Sequence, residues 1–236
     1  MLLFLTPNLL LIAAAVIPAV ALLIYVYRAD RLEKEPKSLL GMLILQGILS
    51  TVLAVYAERL GTHILSGLVR EETLLYQLLF NFLVVGLAEE GFKYLLLKRR
   101  TWASPYFNCQ FDGVVYAVFV SLGFALWENI DYVVMYGFGT AMIRAVTAIP
   151  GHACFGVFMG AWYGLAKAHQ RHGHEQSSRI CRRLALICPV LLHGLYDFIA
   201  TMDQTERALY FVGFIALMFF AAYQTIRRLA RQDRYL

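Results

Sequence analysis

The sequence predicts an all-α, polytopic membrane protein, and three observations carry that prediction. Hydrophobic residues make up 60% of the 236-residue chain and charged residues only 16%, with a mean hydropathy of +0.61. A soluble fold of this size cannot hide so much apolar surface. The charges are clumped between long apolar runs, which is the pattern of repeated spans. Basic residues also alternate in density from loop to loop, as they do when Lys and Arg are retained on one side of a membrane.

About seven transmembrane helices fit the apolar runs, at 8–27, 38–58, 73–97, 112–138, 141–168, 182–202 and 206–229. Each comes close to the roughly 20 residues that cross a bilayer. They form a single transmembrane domain over residues 1–236, because the longest polar stretch, 167–183, is too short to fold alone. The first run has neither a basic flank before it nor a small-residue cleavage site, so it reads as a retained helix rather than a signal peptide. Of the 21 Lys and Arg, Arg59, Arg70, Arg144 and Arg207 flank the spans on one side, Lys93 lies inside a span, and the other 16 flank the opposite side. That asymmetry puts the N-terminus outside and the C-terminus in the cytoplasm of a multi-pass protein of the cell membrane. The four cysteines form no CxxC pair, and disulfides are not expected. A net charge of +5 suits basic loops facing anionic membrane lipid and does not indicate a nucleic-acid partner.

Four spans carry ionisable groups, each of which costs roughly 2.5–3.5 kcal/mol to insert at mid-bilayer and so faces a protein interior or a wet cavity. The third span holds Glu89, Glu90 and Lys93 in LAEEGFKYLLL, and the fourth holds Phe124, Glu128, Asn129 and Asp131 in FALWENID. His152 lies in the fifth span, in IPGHACFGVFMG, and His193 and Asp197 in the sixth, in LLHGLYDF. Lys93 shares a helix face with Glu89 at i,i+4 and with Glu90 at i,i+3. Phe124 and Glu128 are one turn apart, as are His193 and Asp197, where a carboxylate can fix the tautomer of an imidazole. His152 heads a stripe with Gly156, Gly160 and Gly164 that allows close helix approach. Taken singly, a buried Glu–Lys pair can be structural, a lone His a packing residue, and a glycine stripe pure packing. Four adjacent spans contributing acids and imidazoles at comparable depth exceed what packing requires. Glu58, His63, His169, His172 and His174 lie at span ends or in loops and read as solvated surface.

Carboxylates, imidazoles and an amide in one pocket suit hydrolysis: a buried Glu takes a proton from water, and donors stabilise the oxyanion. Glu and His also make a zinc-type ligand set with room for water, so these groups leave a glutamate-driven and a metal-driven mechanism both open. No GxSG or HExxH string lies in the spans, which sets aside the serine and zincin types of protease. Other classes with such groups are a proton- or metal-coupled transporter and a seven-span zinc hydrolase of lipid amides. Neither an inverted repeat nor additional buried histidines speak for them.

The ordered strings EExxK (Glu89, Glu90, Lys93), FxxxEN (Phe124, Glu128, Asn129), His152 followed by small residues, and HxxxD (His193, Asp197) resemble the PrsW family of bacterial intramembrane proteases. DRLEKEP at 30–36 is similar to that pattern too. The likeness covers roughly residues 25–200 and extends more distantly to the CAAX prenyl endopeptidases and bacteriocin-processing proteins, where a His stands in place of Glu128. The resemblance implies an intramembrane endopeptidase that cuts single-span, membrane-anchored proteins such as anti-sigma factors in a first, extracytoplasmic cut. It further implies that Glu89 and Glu90 supply the general base, that His193 is a metal ligand or transition-state donor, and that His152 and Glu128 complete the water site. Lys93, Phe124, Asn129 and Asp197 support them, and Zn2+, if used, is held by Glu90, His152 and His193.

Overall fold

A computed structural model describes the backbone of residues 5–202 and 207–236, with side chains from residue 12 onward. The chain forms α1 (Leu5–Ala29), α2 (Lys37–Leu68), α3 (Leu74–Leu79), a π-helical segment (Phe80–Gly86), α4 (Leu87–Thr101), α5 (Asp112–Val146), α6 (Ala148–Arg171), α7 (Glu175–Thr201) and α8 (Arg207–Gln232). The all-α class expected from hydropathy is what the chain adopts. Among the described residues six stretches are long and apolar enough to cross a membrane. One of them, Asp112–Arg171, is 60 residues long and is two antiparallel helices: Gly113 lies against Gly160, and Glu128 meets His152.

Three expected boundaries move, each for a local reason. α2 continues ten residues past the expected end at 58, to Leu68, so Glu58 sits in mid-helix rather than at a span end. The third stretch, Leu74–Thr101, contains the π-helical segment, whose wider turn the apolar run FNFLVVG does not announce. α5 breaks at Gly137, whose φ of 81° and ψ of −168° are open to glycine but not to a residue with a Cβ. Residues 138–146 fold back from that break, and Arg144 bonds to Asn129 and Glu128 on the same helix. The run 141–147, expected to open the fifth span, therefore belongs to the fold-back, and the helix carrying His152 begins at Ala148. The expected start of the last span, residue 206, lies outside the described residues.

α5 is the central element. Every residue from Asp112 to Ala125 is buried, and α1, α2 and α6 all pack on it. Small residues permit this. A Cβ on Gly47 of α2 would lie 2.1 Å from the Val120 carbonyl oxygen, and one on Gly160 of α6 would lie 2.4 Å from Val114 Cα. Both clashes are with backbone, so no side-chain rotation relieves them. The glycine stripe of α6 thus does the packing expected of it: Gly156 abuts Val118 and Ser121, and Gly164 abuts Gln110. Gly160→Ala is expected to destabilise the protein by about 1–3 kcal/mol, measured as a lower melting temperature in detergent. Gly139, whose Cβ position is open, serves as the neutral control.

Candidate active site

The first turn of α4, immediately after the π-helical segment, presents Glu89 and Glu90. Gly194 of α7 presses on that segment so closely that a Cβ there would sit 2.5 Å from the Phe82 ring. The contact sets the neighbouring His193 against α4, where its Nδ1 donates to Glu90 Oε1 at 2.9 Å. His193 Nε2 lies 3.3 Å from Asp197 Oδ2 one turn away and 3.8 Å from Glu89 Oε2. Phe155 of α6 stacks on the His193 ring, with centroids 4.7 Å apart.

Lys93 ties the centre together from complete burial. Its ammonium has three N–H donors, and three acceptors surround it: Glu90 Oε1 at 2.8 Å, Glu89 Oε2 at 3.1 Å and His152 Nδ1 at 3.1 Å. The same nitrogen lies 3.7 Å from the centroid of the Phe124 ring, a cation–π contact in a site screened from water. Because Nδ1 of His152 accepts from Lys93, the ring carries its proton on Nε2, which donates to Glu128 Oε2 at 2.9 Å. Glu128 Oε2 also receives Arg144 Nη2 at 2.8 Å. The result is a continuous chain from Glu90 through Lys93 and His152 to Glu128 and Arg144, joining three helices, α4, α6 and α5.

A cavity of about 450 Å³ opens over this chain, lined by Glu89, Glu128, His152, His193 and Asp197, with Phe124 and Tyr196 among its apolar walls. Glu90 and Lys93 lie beneath its floor, both fully buried. His152 is one turn from the start of α6 and His193 two turns from the end of α7, so the cavity lies toward the face opposite the basic loops. Eight of the nine residues singled out in the sequence meet here. The ninth, Asn129, stands to one side, donating to the Ala15 carbonyl at 3.0 Å and accepting from Arg144 Nε at 2.9 Å.

Two residues join the site that the sequence reading assigned elsewhere. Glu58, taken as solvated surface, is half-buried and lines the cavity, because α2 carries it past the expected span end. Arg144, counted only as a flanking charge, reaches Glu128 because α5 doubles back at Gly137. The sole signal for that return is the GFG string at 137–139. Asp131, also in the fourth-span string, is exposed at the cavity mouth.

Five carboxylates (Glu58, Glu89, Glu90, Glu128 and Asp197) line or underlie the cavity with two cations (Lys93 and Arg144), so the centre has spare negative charge for protons or a metal to balance. Glu89, Glu90, His152 and His193 each offer a ligand atom, and these atoms all lie within 4.8 Å of one another. Glu90 Oε2 is buried without a hydrogen-bond partner. Mixed carboxylate and imidazole donors around an unpartnered oxygen fit a metal ion in chemistry.

An α-helical, multi-pass membrane fold around a buried acid–imidazole centre defines a class, that of the intramembrane hydrolases. The family model described as PrsW family intramembrane metalloprotease matches residues 35–223, and the chain belongs to that family. Its curated relatives include the Protease PrsW of Bacillus subtilis, 33% identical over 81% of this chain and 83% of that protein. The Protease PrsW of Halalkalibacterium halodurans is 31% identical over 95% of this chain and 99% of its own length. The one from Oceanobacillus iheyensis is 30% identical over 92% and 95%. No solved structure matches the chain at a significant level. The chain is thus an intramembrane protease, ahead of the transporter and lipid-amide hydrolase readings.

Removing the central cation tests the architecture. Lys93→Met leaves two buried carboxylates uncompensated and is expected to cost about 3–5 kcal/mol. Adding Glu90→Gln in the same chain recovers part of that loss. Thermal unfolding in detergent reads both, and a double variant no more stable than Lys93→Met overturns the assignment of Lys93 as counter-ion to Glu90.

Proposed function

We propose that the protein cleaves single-span, membrane-anchored protein substrates, with Glu89 as the general base. The observation that carries this assignment is that Glu89 lines the cavity while Glu90, its neighbour, is sealed below it by Lys93 and His193. Glu89 takes a proton from a water in the cavity as the water oxygen bonds to the scissile carbonyl carbon. Lys93, 3.1 Å from Glu89 Oε2, holds that carboxylate in position. The proton then passes from Glu89 to the amide nitrogen as the C–N bond breaks, which balances the hydrolysis. Asp197 and Glu90 orient His193, and Arg144 and His152 hold Glu128 at the far wall of the same cavity.

Zinc is the metal this donor set favours, and Glu90, His152 and His193 would hold it in exchange for their hydrogen bonds to Lys93 and to one another. When bound, it would supply Lewis-acid polarisation of the substrate carbonyl. The cavity's place opposite the basic loops supports a cut near the extracytoplasmic surface. An anti-sigma factor is a substrate of the right kind, a single-span protein with an extracytoplasmic part.

Proteolysis of a single-span substrate in proteoliposomes tests this reading. Glu89→Gln is expected to lower the cleavage rate at least about 100-fold while leaving the melting temperature within a few degrees of wild type. His193→Ala is expected to abolish cleavage, and elemental analysis of the same preparations reads bound zinc. Cleavage that persists in Glu89→Gln removes Glu89 from the chemistry, and cleavage by protein free of zinc after chelation removes the metal.

A further inference from the structure

At the end of the protein that carries the basic loops, remote from the cavity, three segments converge on an acidic knot. They are the 30–36 loop between α1 and α2, the 102–111 loop leading into α5, and the tail after α8. Glu33, Asp112 and Asp233 each have an oxygen that is held. Asn108 Nδ2 donates to Glu33 Oε1 at 2.9 Å, and the backbone N–H groups of Asn108 and Cys109 donate to Asp112 Oδ2 at 3.0 and 2.7 Å. The Phe111 N–H donates to Asp233 Oδ1 at 2.9 Å. Glu33 Oε2 also accepts, from the Tyr235 hydroxyl at 3.4 Å, but other oxygens of the knot are not held. Asp30 Oδ2, both oxygens of Glu35, Asp112 Oδ1, Asp233 Oδ2 and Asn108 Oδ1 are all buried without a hydrogen-bond partner. Asp30, Glu35 and Asp112 are only 2%, 3% and 1% exposed. Lys34 is adjacent, but its ammonium donates to the backbone carbonyls of Tyr27 and Asp30.

Unpaired buried carboxylates are strongly unfavourable, and six unpartnered oxygens from three segments of the chain meet in one place. We propose that this knot binds a hydrated divalent cation of the Mg2+ type, which clamps the 30–36 loop and the C-terminal tail onto the start of α5. The unpartnered donors are all oxygens, and no imidazole is among them, which selects a hard cation over a zinc-like one. Among the described residues, the only group of three or more acidic, His or Cys side chains whose ligand atoms approach within 4.8 Å is the one in the cavity. The knot is therefore too open for a direct cage. It suits Mg2+, which keeps several waters and takes one or two carboxylates. Glu35 lies beside the Tyr116 hydroxyl and Asp112; Glu35 and Asp112 are the direct ligands, with water reaching Asp30 and Asp233. Burial also holds Asp30 at about 6 and Glu35 at about 7, so protons are the competing way to neutralise the knot.

Thermal unfolding of the full-length protein in detergent at pH 7.5 separates the two. After EDTA treatment, MgCl2 is expected to raise the melting temperature saturably, by about 5–10 °C at a hundredfold excess over Kd, while NaCl of equal ionic strength does not. Glu35→Gln removes a buried charge, so it is expected to melt no lower than wild type in EDTA and to lose most of the Mg2+ shift. Asp30→Asn serves as a second variant with a smaller loss. Glu89→Gln, in the cavity, is expected to keep the full shift. A wild-type melting temperature indifferent to Mg2+ but falling as pH rises from 5 to 8 overturns the cation in favour of protons. An Mg2+ shift unchanged in both Glu35→Gln and Asp30→Asn overturns the knot as its site.

Discussion

A single ammonium group organises the centre of this protein. Lys93 is fully buried in a membrane-spanning segment and has an acceptor for each of its N–H donors, contributed by two glutamates of its own helix and one histidine of another. Removing such a charge from water is affordable only where the opposing carboxylates are themselves fixed, so the positions of α4, α5 and α6 depend on one another through it. The Phe124 face closes the remaining side. This arrangement leaves Glu89 facing the cavity and Glu90 sealed from it, so two adjacent and chemically identical residues are given different environments.

Electrostatics of this kind demand helices that come closer than ordinary side chains permit. Glycines supply that proximity along two seams, between α5 and both α2 and α6, and again where α7 meets the π-helical segment. The extra width of the π turn is accommodated at that last seam, and it is there that His193 reaches Glu90. Small residues let membrane helices approach closely enough for polar side chains to bond across them, and here the residue beside the imidazole is the one that makes the approach possible.

Much of this was legible in the sequence, and the failures share one cause. Helical spacing alone grouped Glu89, Glu90 and Lys93, and separately His193 and Asp197, and both groups are in contact. Hydropathy located the spans because membrane helices leave a long apolar signal. What hydropathy does not mark is where a helix continues after the apolar signal weakens, or bends while it persists. Glu58 was assigned to the surface on the first count and Arg144 on the second. Neither error concerned chemistry; both concerned the path of the backbone. The π-helical segment was illegible for the same reason, since an i→i+5 turn has no compositional signature in a run of apolar residues.

The break at Gly137 places the centre at a meeting of two solvents. A helix that crossed the bilayer uninterrupted would wall the cavity off from hydrocarbon. Instead a short returning segment closes part of it through Arg144, and its outward residues, including Met142, Ile143 and Val146, are more than half exposed and apolar like lipid. Arg144 lies among them and turns inward to Glu128. That outer face is apolar apart from the guanidinium, whereas the cavity on its inner side, with Asp131 and Thr201 among its lining residues, mixes polar and aromatic groups. Arg144 thus stands between an apolar outer face and the carboxylates of the cavity, and hydrolysis of a membrane-embedded bond requires both environments near one carboxylate.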